Sequence, residues 1–116
     1  MAVDRSQEAL GYEDCLRVLL EFIGRRAEVM IVPASDEPIL YAAFKGTLER
    51  ASDDRLWADV AGSREAMAFN LREDRSSGFV LYRDRFRSAY SGEFAGKRGV
   101  SIEQDAVRLD VWLLEE

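Results

Sequence analysis

The most constraining feature of the chain is the stretch from residue 41 to residue 60, YAAFKGTLERASDDRLWADV. Apolar and polar residues alternate along its first half, which is typical of a β-strand with one buried face. Gly46 lies in the middle of this strand, where a missing side chain lets a sheet bend sharply or lets another backbone approach. Asp53 and Asp54 then favour a turn. The stretch therefore predicts a small, strongly curved antiparallel β-barrel.

Length and composition favour one globular domain over residues 1 to 116. A chain of 116 residues has the usual size of a single domain. Its 47% hydrophobic and 33% charged residues are typical of globular rather than disordered proteins. No apolar run approaches the ~20 residues of a membrane-spanning helix, and the N-terminus lacks the pattern of a signal peptide. We therefore expect a cytoplasmic protein without a membrane partner.

The chain has no histidine and only one cysteine, Cys15. Nucleophile pairs that need histidine are excluded, and so are zinc sites built from histidine or several cysteines. Cys15 cannot form an internal disulfide and is interpreted as a small apolar residue. Pairs of adjacent acids lack the spacing of a calcium loop and are interpreted as turn residues. We expect a binding module rather than an enzyme, with no catalytic residue, metal or cofactor.

A helix is predicted over residues 12 to 23. The apolar residues that share one helical face are Tyr12, Leu16, Leu19, Leu20 and Ile23. Acidic residues in the first turn and Gly24 after the last turn agree with the helix dipole and with a C-terminal cap. Residues 1 to 10 are polar and are expected to be frayed.

Two-residue periodicity after the helix predicts antiparallel barrel strands over residues 27 to 90. The individual strands are expected at residues 27 to 31, 39 to 50, 56 to 60, 67 to 71 and 79 to 90. Residues 91 to 116 are interpreted as a loop plus a C-terminal strand that begins at Val107. Three glycines between residues 92 and 99 favour the loop.

The order of these elements resembles that of the Sm-like proteins. GRRAEV at residues 24 to 29 and FKGTL at residues 44 to 48, followed by an aspartate, are similar to the first Sm motif. LYRDRF at residues 81 to 86 is similar to the second motif, in which glycine follows arginine. The resemblance covers residues 12 to 90. It implies a five-stranded bent barrel behind an N-terminal helix, and RNA binding with Arg83 and Arg85 as phosphate or base contacts.

Two positions depart from the family pattern. Leu56 or Trp57 stands where the family has an RNA-contacting asparagine, and Asp84 stands where the second motif has glycine. The resemblance therefore supports the fold, which we expect to be an Sm-like or SH3-like barrel, more than it supports RNA binding.

The segment from residue 79 to residue 90 is the best candidate for a binding surface. Period-two geometry along this predicted strand places Arg83, Arg85 and Arg87 on one face. The other face is shared by Val80, Tyr82, Phe86 and Tyr90. Residues 71 to 98 hold seven basic and four acidic side chains, although the whole chain carries a net charge of −6. This basic strip could hold RNA phosphates. The alternative is that the arginines pair with acids on neighbouring strands. No DNA binding is expected.

Trp57 and Trp112 both fall opposite the apolar register of their strands. An outward tryptophan is a frequent anchor of protein interfaces, although a loop or helix of the same chain can also cover it. We expect a binding or assembly module that forms homo-oligomers through strand edges, with Trp112 at the interface. The alternative is a small-ligand-binding or carboxylate-dependent enzyme barrel with a pocket among Tyr41, Trp57 and Tyr82.

Overall fold

The structure, a computed structural model, describes residues 8–33, 42–51, 66–94 and 96–114. Within these ranges the chain forms one helix and eight strands that belong to one antiparallel sheet. In chain order they are β1 (Glu8–Leu10), α1 (Tyr12–Glu21), β2 (Arg26–Pro33), β3 (Ala42–Arg50), β4 (Ala66–Leu71), β5 (Gly78–Tyr82), β6 (Phe86–Phe94), β7 (Lys97–Gln104) and β8 (Val107–Leu113). The strand predicted at residues 56 to 60, Tyr41 and Trp57 lie outside the described residues.

The sheet has the strand order β1-β6-β7-β8-β2-β3-β4-β5. No ladder joins its outermost strands, β1 and β5, in the described part of the chain, so the sheet is open. The prediction of a mostly β protein with one helix is confirmed, whereas closure into a barrel is not. In the described ranges no helix has the length and apolar character needed to cross a membrane.

Helix α1 begins at the predicted residue, and four of the five predicted face residues, Tyr12, Leu16, Leu19 and Ile23, lie in or against the core, whereas Leu20 does not. Cys15, Leu19 and Phe22 are fully buried, whereas Leu20, predicted to face the core, is 43% exposed. The buried face is therefore rotated away from Leu20. Cys15 and Phe22, which the predicted apolar face did not include, pack in the core instead. Gly24 follows the helix with a φ of 85°, and this positive value agrees with the predicted C-terminal cap.

One apolar cluster joins the helix to the inner face of the sheet. In the strands, alternate residues point into it, as period-two geometry requires. Its fully buried larger side chains are Leu19, Phe22, Val29, Leu48, Phe69, Leu71, Leu81, Val100, Ile102, Val111 and Leu113. Each side chain of this size contributes about 1.5–3 kcal/mol when it is removed from water. This core fixes which side chains remain on the opposite, outer face of the sheet.

The prediction of one long strand over residues 79 to 90 is wrong. Residues 83–85 form a turn that separates β5 from β6, and the Arg85 backbone N–H donates to the Tyr82 carbonyl oxygen at 3.3 Å. The predicted apolar face is also wrong for β5, where Phe79 and Leu81 are the buried residues. Polar Asp84 and its two arginine neighbours favour this turn because they are readily solvated there.

The loop predicted from residue 91 is also wrong, because β6 extends to Phe94 and β7 begins at Lys97. Gly92 and Gly99 face each other across these two strands. Of the three glycines only Gly96 lies in the turn, with a φ of 80°. Likewise, residues 8 to 10, expected to be frayed, pair with β6 as strand β1.

Gly46 lies on β3 beneath a carboxylate. The Thr47 backbone N–H donates to Glu73 Oε1 at 2.7 Å, and the Thr47 hydroxyl donates to Oε2 at 2.7 Å. A Cβ atom at Gly46 would lie 2.6 Å from Glu73 Oε1 and 3.0 Å from Leu71 Cδ1. The glycine thus permits the close approach of the segment after β4 to β3.

We therefore expect Gly46→Val to destabilise the protein by about 1–3 kcal/mol, because the added methyl groups displace Glu73 and press on Leu71. Chemical denaturation of the variant and the wild type measures this difference. Equal midpoints with equal slopes would show that the segment around Glu73 can move away without loss.

Glu73 also makes stability depend on pH. Its pKa lies below the ordinary range, first because of the hydrogen bond from the Thr47 backbone N–H and then because of that from the Thr47 hydroxyl. A depressed pKa contributes stability that is complete above the unfolded-state value, near 4.3, and is lost as the pH falls through the folded-state value. We expect Glu73→Gln to flatten the fall in melting temperature below about pH 5. If the melting temperature of Glu73→Gln fell with pH as steeply as that of the wild type, this role would be contradicted.

One side chain connects β7 to the outermost strand β5. Gln104 donates from Nε2 to the Val80 carbonyl oxygen at 2.8 Å, and the Tyr82 backbone N–H donates to Gln104 Oε1 at 2.6 Å. β7 and β5 stand five positions apart in the strand order. The sheet must curl strongly to bring them into contact.

Candidate functional site

The three predicted RNA-binding arginines do not share one strand face. Arg83 and Arg85 lie in the turn between β5 and β6. Arg87 lies at an irregularity in the pairing of β6 with β7 and forms no ion pair with any residue in the described ranges. The geometry therefore presents three separately placed guanidinium groups instead of one basic stripe.

Arg83 is bound to the start of the helix. Its guanidinium forms an ion pair with Glu13 and lies 4.5 Å from the centre of the Tyr12 ring. Tyr12 is buried, and its hydroxyl donates to the Leu81 carbonyl oxygen at 3.3 Å. The arginine thus joins the turn before β6 to α1.

Arg85 makes a similar pair of contacts. Its Nη1 lies 3.6 Å from Asp105 Oδ2, and its guanidinium carbon lies 4.6 Å from the centre of the Tyr82 ring. Both arginines pair with acids, as in the alternative interpretation, but Glu13 lies in the helix and Asp105 in the turn between β7 and β8 instead of on neighbouring strands. Exposed pairs of this kind contribute only about 0–1 kcal/mol to stability. Pairs this weak do not exclude RNA binding by the same arginines, which stays a prediction.

Trp112 lies on the outer face of β8, where the alternating pattern placed it, and it is half-buried. Its indole ring lies on Gly99 of β7, since a Cβ atom at Gly99 would be 2.6 Å from the ring atom Cε3. The chain itself therefore covers part of this tryptophan. Its role at an oligomer interface stays a prediction.

The outer faces of β6, β7 and β8 place polar side chains in neighbouring rows. Ser88, Glu103 and Arg108 form one row across the three strands. Tyr90, Ser101 and Asp110 form the next row. All three strands pair antiparallel, so these side chains are held on a regular part of the sheet. Rigid elements of this kind position binding groups more accurately than loops.

Five of these residues line a depression of about 290 Å³, which we call the outer-face depression: Ser88, Tyr90, Ser101, Glu103 and Arg108. The Tyr90 side chain is 49% exposed and offers an aromatic ring to solvent. Glu103 is half-buried and accepts no hydrogen bond from the residues that the structure describes. The depression thus combines hydroxyls, a carboxylate, a guanidinium and an aromatic ring.

Arg108 is directed toward Asp110 on its own strand. Arg108 Nε lies 3.3 Å from Asp110 Oδ2, although Glu103 is its direct cross-strand partner. Asp110 is only 5% exposed, and its other oxygen, Oδ1, is buried without a hydrogen-bond partner in the described structure. The positive charge of Arg108 is therefore balanced locally, while Glu103 keeps its acceptor oxygens available.

A second depression, of about 270 Å³, lies near the turn between β6 and β7. Its lining residues are Arg25, Glu93, Gly96, Arg98 and Leu113. The Arg98 guanidinium binds Glu21 of the helix at 2.8 Å and lies 5.5 Å from the centre of the Phe22 ring. Because Arg98 already holds an acidic partner, this depression is the weaker candidate site.

Carboxylate and thiol side chains do not form a metal site in the described residues, where no group of three comes together. Cys15 is fully buried, and burial raises the pKa of its thiol to about 12. A neutral, enclosed thiol is a poor nucleophile, in agreement with its interpretation as a small apolar residue.

We expect the Cys15 thiol to resist alkylation in the folded protein. At pH 8 a pKa near 12 leaves a thiolate fraction about three orders of magnitude below that of an unfolded cysteine. Labelling with iodoacetamide, followed by mass spectrometry with and without denaturant, measures this protection. Rapid labelling without denaturant would show that the helix opens readily.

Sequence reasoning missed every residue of the outer-face depression. Glu103 and Ser101 lay in the presumed loop, and Tyr90 was placed on a shared apolar face. The alternation of Val100 and Ile102 with Ser101 and Glu103 was the available signal for β7. Recognising the site also required the register of three strands, which a single strand's pattern does not contain.

Comparison of the chain with protein-family models, with curated proteins and with solved structures gives no match.

Proposed function

We propose that the protein is a binding module that recognises its ligand or partner with the outer face of strands β6, β7 and β8. The observation that carries this proposal is the outer-face depression, in which Ser88, Ser101 and Glu103, without side-chain hydrogen bonds to other described residues, line the same depression as the exposed Tyr90. Sites that bind small groups combine a concave shape with a few convergent polar groups. Tyrosine and arginine are also enriched in interfaces between proteins.

Binding has more support than catalysis at this surface. A carboxylate-dependent hydrolase needs two carboxyl groups on either side of the reacting bond. Of the described residues that line the depression, only Glu103 is a carboxylate. Asp110 lies beside it on the sheet but has an enclosed Oδ1, and its Oδ2 faces Arg108. Among the residues that the structure describes, no second accessible carboxylate in this depression supports the enzyme alternative.

The Sm-like or SH3-like barrel, self-association at Trp112 and RNA binding at Arg83, Arg85 and Arg87 remain proposals from the sequence. The contact between Gln104 and β5 supports strong curvature of the sheet. The ion pairs of Arg83 and Arg85 weaken the case for RNA binding, because nearby acids already balance both charges.

Nuclear magnetic resonance can locate the binding surface even while the ligand is unidentified. Amide signals of ¹⁵N-labelled protein are recorded against a panel of small cations, anions, sugars and short oligoribonucleotides. We expect shifts at residues 88–90, 101–103 and 108 for at least one class of compound. The control is Ser101→Arg, which fills the depression and should remove those shifts while the rest of the spectrum stays unchanged.

Other patterns of shifts would overturn the proposal. Shifts confined to residues 83–87 with an oligoribonucleotide, lost in Arg85→Glu and at high salt, would favour the RNA hypothesis. Concentration-dependent broadening around Trp112, with a larger mass in sedimentation, would favour self-association. A panel that leaves the outer-face depression unchanged would remove the basis for a binding module there.

A further inference from the structure

We propose that the outer-face depression binds a positively charged group, an ammonium or guanidinium carried by a lysine or arginine side chain of a peptide. This inference rests on the proposed function and names the chemical class of the ligand. Three observations on the same surface lead to it, concerning the charge of the depression, its aromatic ring and its size.

The charge of the depression favours a cation. Glu103 is half-buried and has a direct cross-strand neighbour, Arg108, with which it forms no ion pair. Arg108 is instead 3.3 Å from Asp110, so the pair Arg108 and Asp110 is neutral as a unit. The carboxylate of Glu103 therefore leaves a net negative charge. A cationic donor would satisfy its oxygens with charge-assisted hydrogen bonds.

The free hydroxyls and the aromatic ring suit the same ligand. Ser88 lies directly across from Glu103, and Ser101 lies directly across from Tyr90. Serine hydroxyls can accept hydrogen bonds from an ammonium or guanidinium group. The exposed Tyr90 ring can face the cation and attract it through the ring quadrupole. Carboxylate, hydroxyl and aromatic contacts to one cation thus come from adjacent positions of β6 and β7.

The volume of the depression suits one long side chain. Pockets for drug-sized ligands measure about 300–1,000 Å³, and this one measures about 290 Å³. One long side chain can enter it while the rest of a peptide lies across the sheet. The net charge of −6 on the whole chain also attracts a basic peptide at long range and repels an acidic one.

Two glutamates allow a matched test. Glu103→Gln keeps the shape of the side chain and removes its charge. Glu93→Gln makes the same change in net charge on β6 but outside the outer-face depression, at the second depression. The probes are fluorescent hexaarginine and hexalysine peptides, a hexaglutamate peptide and free spermidine. Fluorescence anisotropy for the peptides and amide shifts for all four probes are measured at low and moderate salt.

We expect the basic peptides to bind and to shift the amides of residues 88–90 and 101–103. Glu103→Gln should weaken their binding at least tenfold, Tyr90→Ala severalfold, and Glu93→Gln less than twofold. Spermidine should bind more weakly than either peptide, since the proposed ligand is a side chain on a peptide. Unchanged melting temperatures confirm that the variants fold.

Equal losses in Glu103→Gln and Glu93→Gln would reduce the effect to general charge attraction and overturn the proposal. Occupation of the depression by the hexaglutamate peptide, or by a neutral compound of the wider panel, would overturn the cationic ligand but leave the binding module intact. Tighter binding of spermidine would identify a free polyamine as the ligand in place of a peptide. No shift at the depression with any compound would remove both proposals.

Discussion

Gly78→Ala is expected to destabilise the protein by about 3 kcal/mol or more, because the added carbon has no room in the native backbone. Gly78 begins β5 and pairs with Asn70 of β4. A Cβ atom there would lie 2.1 Å from the carbonyl oxygen of Phe69 and 2.9 Å from the Asn70 Cα atom. Both neighbours are backbone atoms, so neither can rotate away. Relief requires β5 to separate from β4.

Thermal and chemical denaturation measure the effect of this substitution. For a chain of this length, 3 kcal/mol corresponds to a fall in melting temperature of about 10–15 °C. Gly11→Ser is the control, because nothing lies within 4 Å of a Cβ atom at Gly11. Gly11 is the N-cap residue of α1, where serine is favoured, so that variant should match or exceed the wild type. A Gly78→Ala protein as stable as the wild type would contradict the close pairing of β4 with β5.

Arg108→Met is expected to cost about 2–3 kcal/mol, because it leaves the buried carboxylate of Asp110 without its charged partner. The 3.3 Å contact from Arg108 Nε to Oδ2 is the interaction that is lost. Asp110 is nearly enclosed, so water cannot readily replace the guanidinium. Arg87→Met is the matched control, since Arg87 is exposed and has no ion pair with a described residue.

A double-mutant cycle separates the ion pair from the loss of packing. In Arg108→Met/Asp110→Leu the buried charge is gone, so the double variant should be more stable than Arg108→Met alone. The coupling energy between two contacting residues of this kind is about 0.5–3 kcal/mol. Additive losses would show that Arg108 does not stabilise Asp110. An equal loss in Arg87→Met would attribute the effect to removing any arginine.

Local periodicity predicted the elements that have strong, regular patterns. The helix begins at Tyr12 as expected, and the strand expected at residues 27 to 31 lies within β2. Met67, Phe69 and Leu71 lie in β4 as the alternating pattern indicated. In each case a single segment's own period determines the structure, so no information from distant residues was needed.

Glycine caused the wrong loop prediction from residue 91, because its local preference does not distinguish a turn from a tightly packed strand. Gly92, Gly96 and Gly99 all favoured a loop, yet only Gly96 has a positive φ. Gly99 is needed because the ring of Trp112 covers it. That requirement comes from a residue on the next strand, thirteen positions along the chain, which a local pattern cannot show.

The candidate site was unpredictable for a related reason. Ser88, Ser101 and Glu103 are ordinary outward residues on their own strands, and they match no motif. They form a depression only because β6 and β7 pair in one register, with the irregularity between Phe86 and Ser88 setting which residues face outward. A shift of one residue would exchange the two faces of the strand. The site is thus a property of strand pairing.

The contact of Gln104 with β5 has a consequence for how molecules of this protein meet one another. The unpaired edge of an outermost strand is a template for a strand of another molecule, and proteins usually protect such edges. The Val80 carbonyl and the Tyr82 N–H, two residues apart, point to the same side of β5, and the Gln104 amide engages both. The side chain thus occupies the place of a peptide group in an added strand. Any intermolecular sheet that grows from this part of β5 must first displace Gln104.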